Sequence, residues 1–510
     1  MRERKFIVFE SCLQSLLALC FLCGNACKII STKVSGTMVT LTSQCSVDPS
    51  HVKTWKSQPS HGTMPLGNLQ LAASIMFSGC STVKAVNCFK FMRISTFCVS
   101  TYYNIQKAYL IPAVNSLWSK KQELLICDVK KKSKVRLGGD ARCCSPGHTA
   151  KYGSYSLMDM DTSKVLDMQL VQCTEVKNSY AMELEGLKRS LQFLEDAGVT
   201  VTDLTTDRHS SVKKFMREIY PSINHWFDAW HIAKGITKKL DASSKKKLCH
   251  TISPWIHSIS NHVYWCGASS DGNAELVVAK WKSVMNHIVD IHEHPFENFP
   301  TCAHDELVED REWIAEGEKL FLAFSKVNLL RAFHNTSFTI TAGSRAHVEV
   351  KSIVTNRTLL ADIGKLSPHV QTSSVESYHK VVCFFAPKFL HFFYHSMNAR
   401  LILAILHFNE NSNRQQAKNK AGKEMWQLSF PKAKKGEPVA KQVKVPCTYA
   451  YIDELLDEVM ARREAIPSYE VARQDLEAQI APEYVKDQYD KVDKLTVVAT
   501  RKSRFTQLGI

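Results

Sequence analysis

The sequence predicts a mixed α/β fold. Its sheet begins with antiparallel strands and continues with parallel ones, a long helical stretch interrupts it, and a small cysteine-bearing module precedes it. Three observations predict this. Strand-like and helix-like segments alternate between residues 133 and 240. That alternation stops over residues 241–365 and resumes as a helix near 374–408. Two aspartates, Asp140 and Asp207, close two of the predicted strands, as residues do when a sheet edge carries a site.

Residues 1–60 form the leading module. Cys20-Phe21-Leu22-Cys23 has the spacing that lets two thiolates span one edge of a tetrahedral zinc ion. Cys45 and His51 follow, with Asp48 where a second pair needs a cysteine. His51 or Cys27 then completes the set, while a pair of buried free cysteines is the plainer reading. The run Gly36–Thr42 reads as a strand. The apolar stretch from Cys12 to Cys23 is too short to span a bilayer. Residues 61–130 read as helical, for example Asn68–Phe77.

Residues 131–240 carry the alternating block. Strands are predicted at 134–140, 151–159 and 164–173. A helix at 179–196 follows, with Met182, Leu187, Leu191 and Leu194 on one side and Gly198 at its end. A strand at 199–206, a helix at 210–219 stopped by Pro221, a strand at 223–229 and a helix at 231–240 complete it. A hairpin-joined antiparallel trio that crosses over to parallel strands is the element order of a ribonuclease H-like mixed sheet, an order other α/β domains share. Residues 241–365, with Trp255, Trp265, Trp281 and Trp313, read as a helical insertion within that domain. Residues 366–412 return to the core. Residues 413–510 read as a charged C-terminal tail with a helix at 451–464 and loose order over the last forty residues.

Carboxylates on neighbouring strand ends can hold two Mg²⁺ (or Mn²⁺) ions roughly 3.5–4 Å apart, the arrangement of phosphoryl transfer. Asp140 and Asp207 supply two, and Glu376 is the predicted third, in the first turn of a helix capped by Ser373 or Ser374. Asp159, Glu183 and Glu185 compete for the role, and an isolated acid is usually just a solvated surface group. Asp228 and His231 stand where strand 223–229 meets its helix. They either support the site or serve as helix cap and aromatic core. Cys302-Ala303-His304, with Trp265-Cys266 upstream, reads first as core packing of the insertion and second as metal-binding.

Lys and Arg number 65 against 49 Asp and Glu, giving +16 over 510 residues, which favours a polyanionic partner such as nucleic acid. Lys130, Lys131, Lys132 and Lys134 run into the strand of Asp140, and Arg142 and Arg208 flank the two aspartates. These six are the predicted phosphate contacts, and the clusters at 245–247 and 432–435 read as solvated faces. The 17 scattered cysteines argue against a disulfide framework and for a reducing compartment, and no stretch reads as a membrane span.

Gly138–His148, Tyr152–Asp159, Thr206–His209, Phe227–Lys234 and Asn409-Glu410-Asn411 together resemble a eukaryotic DDE transposase family of the Kolobok type, over residues 10 to 460. The resemblance implies Mg²⁺-dependent DNA strand cleavage and joining by Asp140, Asp207 and Glu376. It also implies a zinc ribbon around Cys20–Cys23, double-stranded DNA partners (transposon ends and target), homo-oligomers that synapse ends, and a nuclear location. Residues 336–354 read as foreign to the pattern. A catalytically inactive, transposase-derived DNA-binding protein is the alternative reading.

Overall fold

The computed structural model describes residues 3–145, 150–305, 312–314, 343–368, 372–432, 436–479, 481–488 and 492–501. Residues 146–148 of the Gly138–His148 stretch and 336–342 of the segment read as foreign lie outside them.

After helix α1 (Glu10–Leu16), strands β1 (Cys27–Ser35), β2 (Met38–Cys45) and β3 (Val52–Lys56) form an antiparallel sheet in the order β1-β2-β3. Leu41, fully buried, pairs with Trp55 and sets the register. The pair β4 (Ser60–His61) and β5 (Met64–Pro65) leads into α2 (Leu66–Phe77), α3 (Thr82–Phe91), α4 (Val99–Ile105) and α5 (Ile111–Lys130).

The central sheet holds β6 (Arg136–Cys143), β7 (Tyr152–Asp159), β8 (Lys164–Gln172), β9 (Asp203–Thr206) and β10 (Asn224–Phe227) in the order β10-β9-β6-β7-β8. The first three strands run antiparallel, and β9 and β10 join parallel to β6. Every residue of β7 is buried, so both faces of the sheet are covered. One face carries α6 (Ala181–Asp196) and α7 (Ser210–Ile219). Leu187, Leu191, Leu194 and Val212 pack there against Leu137, Tyr155, Leu157 and Leu204. Gly198, at φ +72°, ends α6 in the left-handed conformation that a residue with Cβ resists.

Two strands differ from expectation. β6 runs three residues past Asp140, because Ala141 and Cys143 continue the ladder with β7. β9 starts at Asp203 rather than 199, because the Thr202 hydroxyl takes over the pairing, bonding both Val135 N (3.1 Å) and Val135 O (3.0 Å).

A helical stretch follows, α8 (Ala229–Ser244), α9 (Ile256–Ala268), α10 (Ala274–His287), α11 (Gly343–Val354) and α12 (Arg357–Ile363), its first helix reaching back across the boundary expected at 240/241. Its own core includes Ile236, Leu240, Ile259, Val263, Trp281 and Val350. The part of the segment read as foreign that is described forms α11 and belongs to this core. Glu349 of α11 accepts hydrogen bonds from Ser243 (3.2 Å) and Lys246 (2.7 Å). The chain re-enters at the open sheet edge, where Phe227 N–H donates to Lys365 O (2.7 Å) and Ser367 N–H to Phe227 O (3.0 Å).

The second face of the sheet is covered by α13 (Ser373–Phe385) and α14 (Tyr394–Asn411), with α2 and α5. The single helix expected at 374–408 is two, because the turn between them holds Pro387, which has no N–H to donate. The tail adds the hairpin β11 (Trp426–Ser429) and β12 (Val439–Gln442), then α15 (Ala450–Ala465), α16 (Tyr469–Glu477) and the exposed α17 (Lys494–Ala499). It is not all solvated. Tyr451, Leu455 and Val459, spaced four apart, bury one stripe of α15 in the core shared by α2, α5 and α14.

Asn409-Glu410-Asn411 ties these pieces together. Asn409 bonds Val165 N (2.8 Å) and O (2.9 Å) on β8, Glu410 accepts the first N–H groups of α15, and Asn411 holds Thr448. Among the described residues no helix is long and apolar enough to cross a membrane.

Candidate functional site

The parallel register pairs Gly138 with Thr205, so two residues further on Asp140 lies level with Asp207, just past the end of β9. Gly139 makes room for this. A Cβ there would sit 2.2 Å from the Tyr155 hydroxyl, so no other residue fits beneath that part of the strand. His231, in the first turn of α8, stands 2.9 Å from Asp207 Oδ1 and 3.9 Å from Glu376 Oε1 through its Nε2. His379, one turn after Glu376 on α13, places Nδ1 3.4 Å from Asp140 Oδ2. His231 thus stands between Asp207 and Glu376, while Asp140 faces a second imidazole, His379, on the helix of Glu376. Their side chains keep 19% (Asp140), 31% (Asp207) and 37% (Glu376) of their exposure, which leaves the cluster open to a ligand from solvent.

Asp228 explains how elements on either side of the insertion meet here. Its buried carboxylate accepts the Trp230 N–H (3.2 Å), capping α8, and the Thr372 hydroxyl (2.6 Å), anchoring the start of α13. The cap reading and the supporting reading are thus one arrangement: the capping group also holds the helix of Glu376 beside that of His231.

The electrostatics are those of crowded acids. Burial, then the Asp207 charge, holds Asp140 well above the usual carboxylate range. Burial and Asp207 raise Glu183, in the first turn of α6, to about 7. Burial works against the His231 imidazolium, but the Asp207 hydrogen bond and the charges of Asp207, Asp228 and Asp140 raise it above its ordinary value. Burial, with Arg142 and Lys388 nearby, lowers His379 to about 4, so it faces Asp140 as a neutral ring. Glu183 and His379 are functional candidates that the sequence hid. Glu183 stood only as a competitor, and the single signal for His379 was its spacing of three from Glu376.

The predicted phosphate contacts fare unevenly. Arg142 points beneath α13, buried, toward Cys383 Sγ (3.3 Å) and Ala386 O (3.4 Å), which removes it from that set. Lys132 is tied to Asp159 (2.7 Å) and Asp161 (3.3 Å), Arg208 to Asp362 of α12 (3.1 Å) and Lys131 to Asp128 (2.8 Å). Lys130 and Lys134 are exposed. Lys134 precedes β6, about 20 Å along the strand from Asp140 at ~3.3 Å per residue, so the lysine run flanks the site rather than lining it.

A second group is tighter. Donor atoms of Cys20, Cys23, Cys45 and His51 all lie within 4.8 Å of one another and form a group able to hold a metal ion. Cys20 Sγ is 3.6 Å from His51 Nδ1, and Cys23 Sγ is 3.6 Å from Cys45 Sγ. His51, not Cys27, completes the set. Asp48, standing where a cysteine was expected, sets its Oδ2 3.1 Å from His51 Nε2, on the side of the ring away from Cys20. Hydrogen bonds from Asn25, backbone first, lower the Cys23 thiol to about 6, and the Cys23 and Leu22 backbone lowers Cys20. Three sulfurs and one nitrogen suit a tetrahedral divalent ion.

No family model and no curated protein matches the sequence. Among solved structures, the Drosophila P element transposase strand transfer complex is similar at 9% sequence identity and a TM-score of 0.27. The likeness covers 68% of this chain and 92% of that one.

Proposed function

We propose that this chain is a DNA transposase-like protein with a ribonuclease H-like core, cleaving and joining DNA strands by divalent-metal-dependent phosphoryl transfer. The observation that carries the proposal is the convergence of Asp207 and Glu376 on one imidazole, with Asp140 against His379, one turn from Glu376 on the same helix. Asp140, Asp207 and Glu376 are the ligands for Mg²⁺ or Mn²⁺. When bound, such ions polarise a phosphodiester and acidify the attacking water or 3′-hydroxyl. His231 orients Asp207 and Glu376, and Asp228 fixes the spacing of the helices that carry His231 and Glu376. Glu183, protonated up to about pH 7, is placed to exchange a proton at the edge of the cluster.

In this reading the partner is double-stranded DNA, held by the overall charge of +16 with Lys130 and Lys134 beside the site. The 1–60 module carries zinc on Cys20, Cys23, Cys45 and His51. The chain works in the nucleus as a homo-oligomer that pairs two DNA ends.

Nicking of supercoiled plasmid in Mn²⁺ tests the proposal. Asp140→Asn, Asp207→Asn and Glu376→Gln are each expected to slow nicking by more than the ~10–100-fold typical of losing a supporting group. DNA binding with equal nicking, or none, in wild type and variants would instead favour the non-catalytic DNA-binding protein.

A further inference from the structure

The helical insertion contains a second set of soft donors. His287 ends α10, His292 follows in the next loop, and Cys302 and His304 close that loop. One donor atom from each lies within 4.8 Å of all the others. We propose that these four residues bind a structural zinc ion that staples the loop over residues 288–304 to the end of α10. This does not depend on the catalytic reading.

The spacing of the donors carries the argument. A tetrahedral ion with nitrogen at ~2.0–2.1 Å and sulfur at ~2.3 Å puts two nitrogens roughly 3.3 Å apart and a nitrogen and sulfur roughly 3.6 Å apart. His304 Nε2 and His287 Nδ1 are 3.4 Å apart, and Cys302 Sγ and His287 Nδ1 are 3.6 Å apart. The three imidazoles meet edge to face, with ring centres 5.0–5.2 Å apart in every pair. The rings bring one nitrogen each, with Cys302 Sγ, within 4.8 Å of one another.

The outer atoms of the rings are arranged as metal ligands require. His304 Nδ1–H donates to Asp305 O at 2.7 Å, which leaves Nε2 as the inward lone pair. His292 Nε2–H donates to Asp290 Oδ1 at 3.2 Å, while its Nδ1 is buried without a hydrogen-bond partner. His294 brings Nε2 to 3.2 Å from Cys302 Sγ, where an N–H supports a thiolate. The backbone builds the same loop. Glu293 and Thr301 form an antiparallel bridge, and Cys302 N–H donates to His292 O at 3.0 Å, setting two of the donors side by side. Trp313 packs against His287 and His292 with ring centres 5.9 and 6.1 Å away and shields one side.

The donor set decides the ligand. It holds no carboxylate, which disfavours Mg²⁺ and Ca²⁺, and its three nitrogens and one sulfur suit zinc. Four protein donors close the tetrahedron, which makes the site structural rather than catalytic. The sequence offered only Cys302-Ala303-His304. Cys266, the upstream partner it suggested, is not among the donors, and burial raises its thiol.

Metal content tests this on the full chain, purified without immobilised-metal resin. With Cys20→Ser and Cys23→Ser in place, the protein is expected to keep one zinc per chain. Adding Cys302→Ser and His287→Asn should remove it. His304→Gln, at the exposed rim, should weaken zinc at least tenfold in a chelator competition with an unchanged circular dichroism spectrum, so folding and binding separate. Cobalt(II) in the Cys20→Ser, Cys23→Ser protein should give a tetrahedral spectrum with a single thiolate charge-transfer band. A folded Cys20→Ser, Cys23→Ser protein without zinc, zinc affinity indifferent to His304→Gln, or a cobalt spectrum without thiolate character would overturn the proposal.

Discussion

The cysteine–histidine group of the leading module and the carboxylate group on the central sheet solve opposite problems. The first draws its donors from residues 20–51, packs them within 4.8 Å and orients His51 with Asp48. The second collects Asp140, Asp207, Glu376, Glu183 and His231 from five segments on both sides of a long helical stretch, and leaves the three predicted ligands 19–37% exposed. A closed tetrahedron of soft donors fixes a fold. An open group of hard oxygens, crowded enough to raise Asp140 and Glu183, stays accessible from solvent. The difference lies in distance along the chain and in access.

The strongest way to break this contrast is to empty the closed site. Cys20→Ser with Cys23→Ser should abolish amide exchange protection across β1–β3 while β6, β7 and β9 stay protected, read by hydrogen exchange. If both sheets lost protection together, the module would not be a separate metal-held unit.

Asp228 is the sharpest probe of the open site's assembly. Asp228→Ala removes a helix cap, about 1 kcal/mol, and leaves the Thr372 hydroxyl unpaired, about 1–3 kcal/mol, so urea unfolding should show a loss of roughly 2–4 kcal/mol. Nicking should fall ~10–100-fold as Glu376 loses its placement relative to His231. An unchanged rate at that stability cost would make Asp228 purely a cap.

Proton linkage gives a smaller, signed effect. Glu183 is raised from 4.5 to about 7, so the metal-free fold gains stability from it below pH 4.5 and loses that gain as pH rises to about 7. His379, lowered from 6.5 to about 4, works the other way: its contribution is present above 6.5 and lost as pH falls toward 4. The difference in melting temperature between wild type and Glu183→Gln isolates the first. It should grow from near zero at pH 4.5 to its largest at pH 7 without metal, the wild type being the less stable because glutamine mimics the protonated acid, and Mn²⁺ should restore the wild type most at pH 7. Smallest of all, Lys131→Ala should leave both stability and nicking unchanged, since its exposed pair with Asp128 touches neither site.

What could be read in the sequence follows the same division. Cys20 and Cys23 were legible because a short spacing fixes their geometry. His51 and Cys27 were not separable, because the turn between β2 and β3 decides which one faces the thiols. Asp140 and Asp207 were legible as strand-end acids, although β6 in fact runs on past Asp140. Glu183 stayed one competitor among several, because only the path of α6 over the sheet aims it. Arg142 and Lys132 misled for a related reason. Nearness in sequence to Asp140 says nothing of the pleat that sends Arg142 under α13, or of the buried Asp159 that holds Lys132. The tail's share in the core was hidden by its charge, though the four-residue spacing of Tyr451, Leu455 and Val459 was there to see.

The most direct test of the open site is diffraction from crystals soaked in Mn²⁺, with anomalous scattering to locate the ion. The account predicts a peak shared by the carboxylates of Asp140 and Asp207, within about 2.0–2.4 Å of their oxygens, with Glu376 turned toward it and His231 displaced from Asp207. Manganese bound elsewhere, with His231 still on Asp207 and Glu376 turned away, would contradict it.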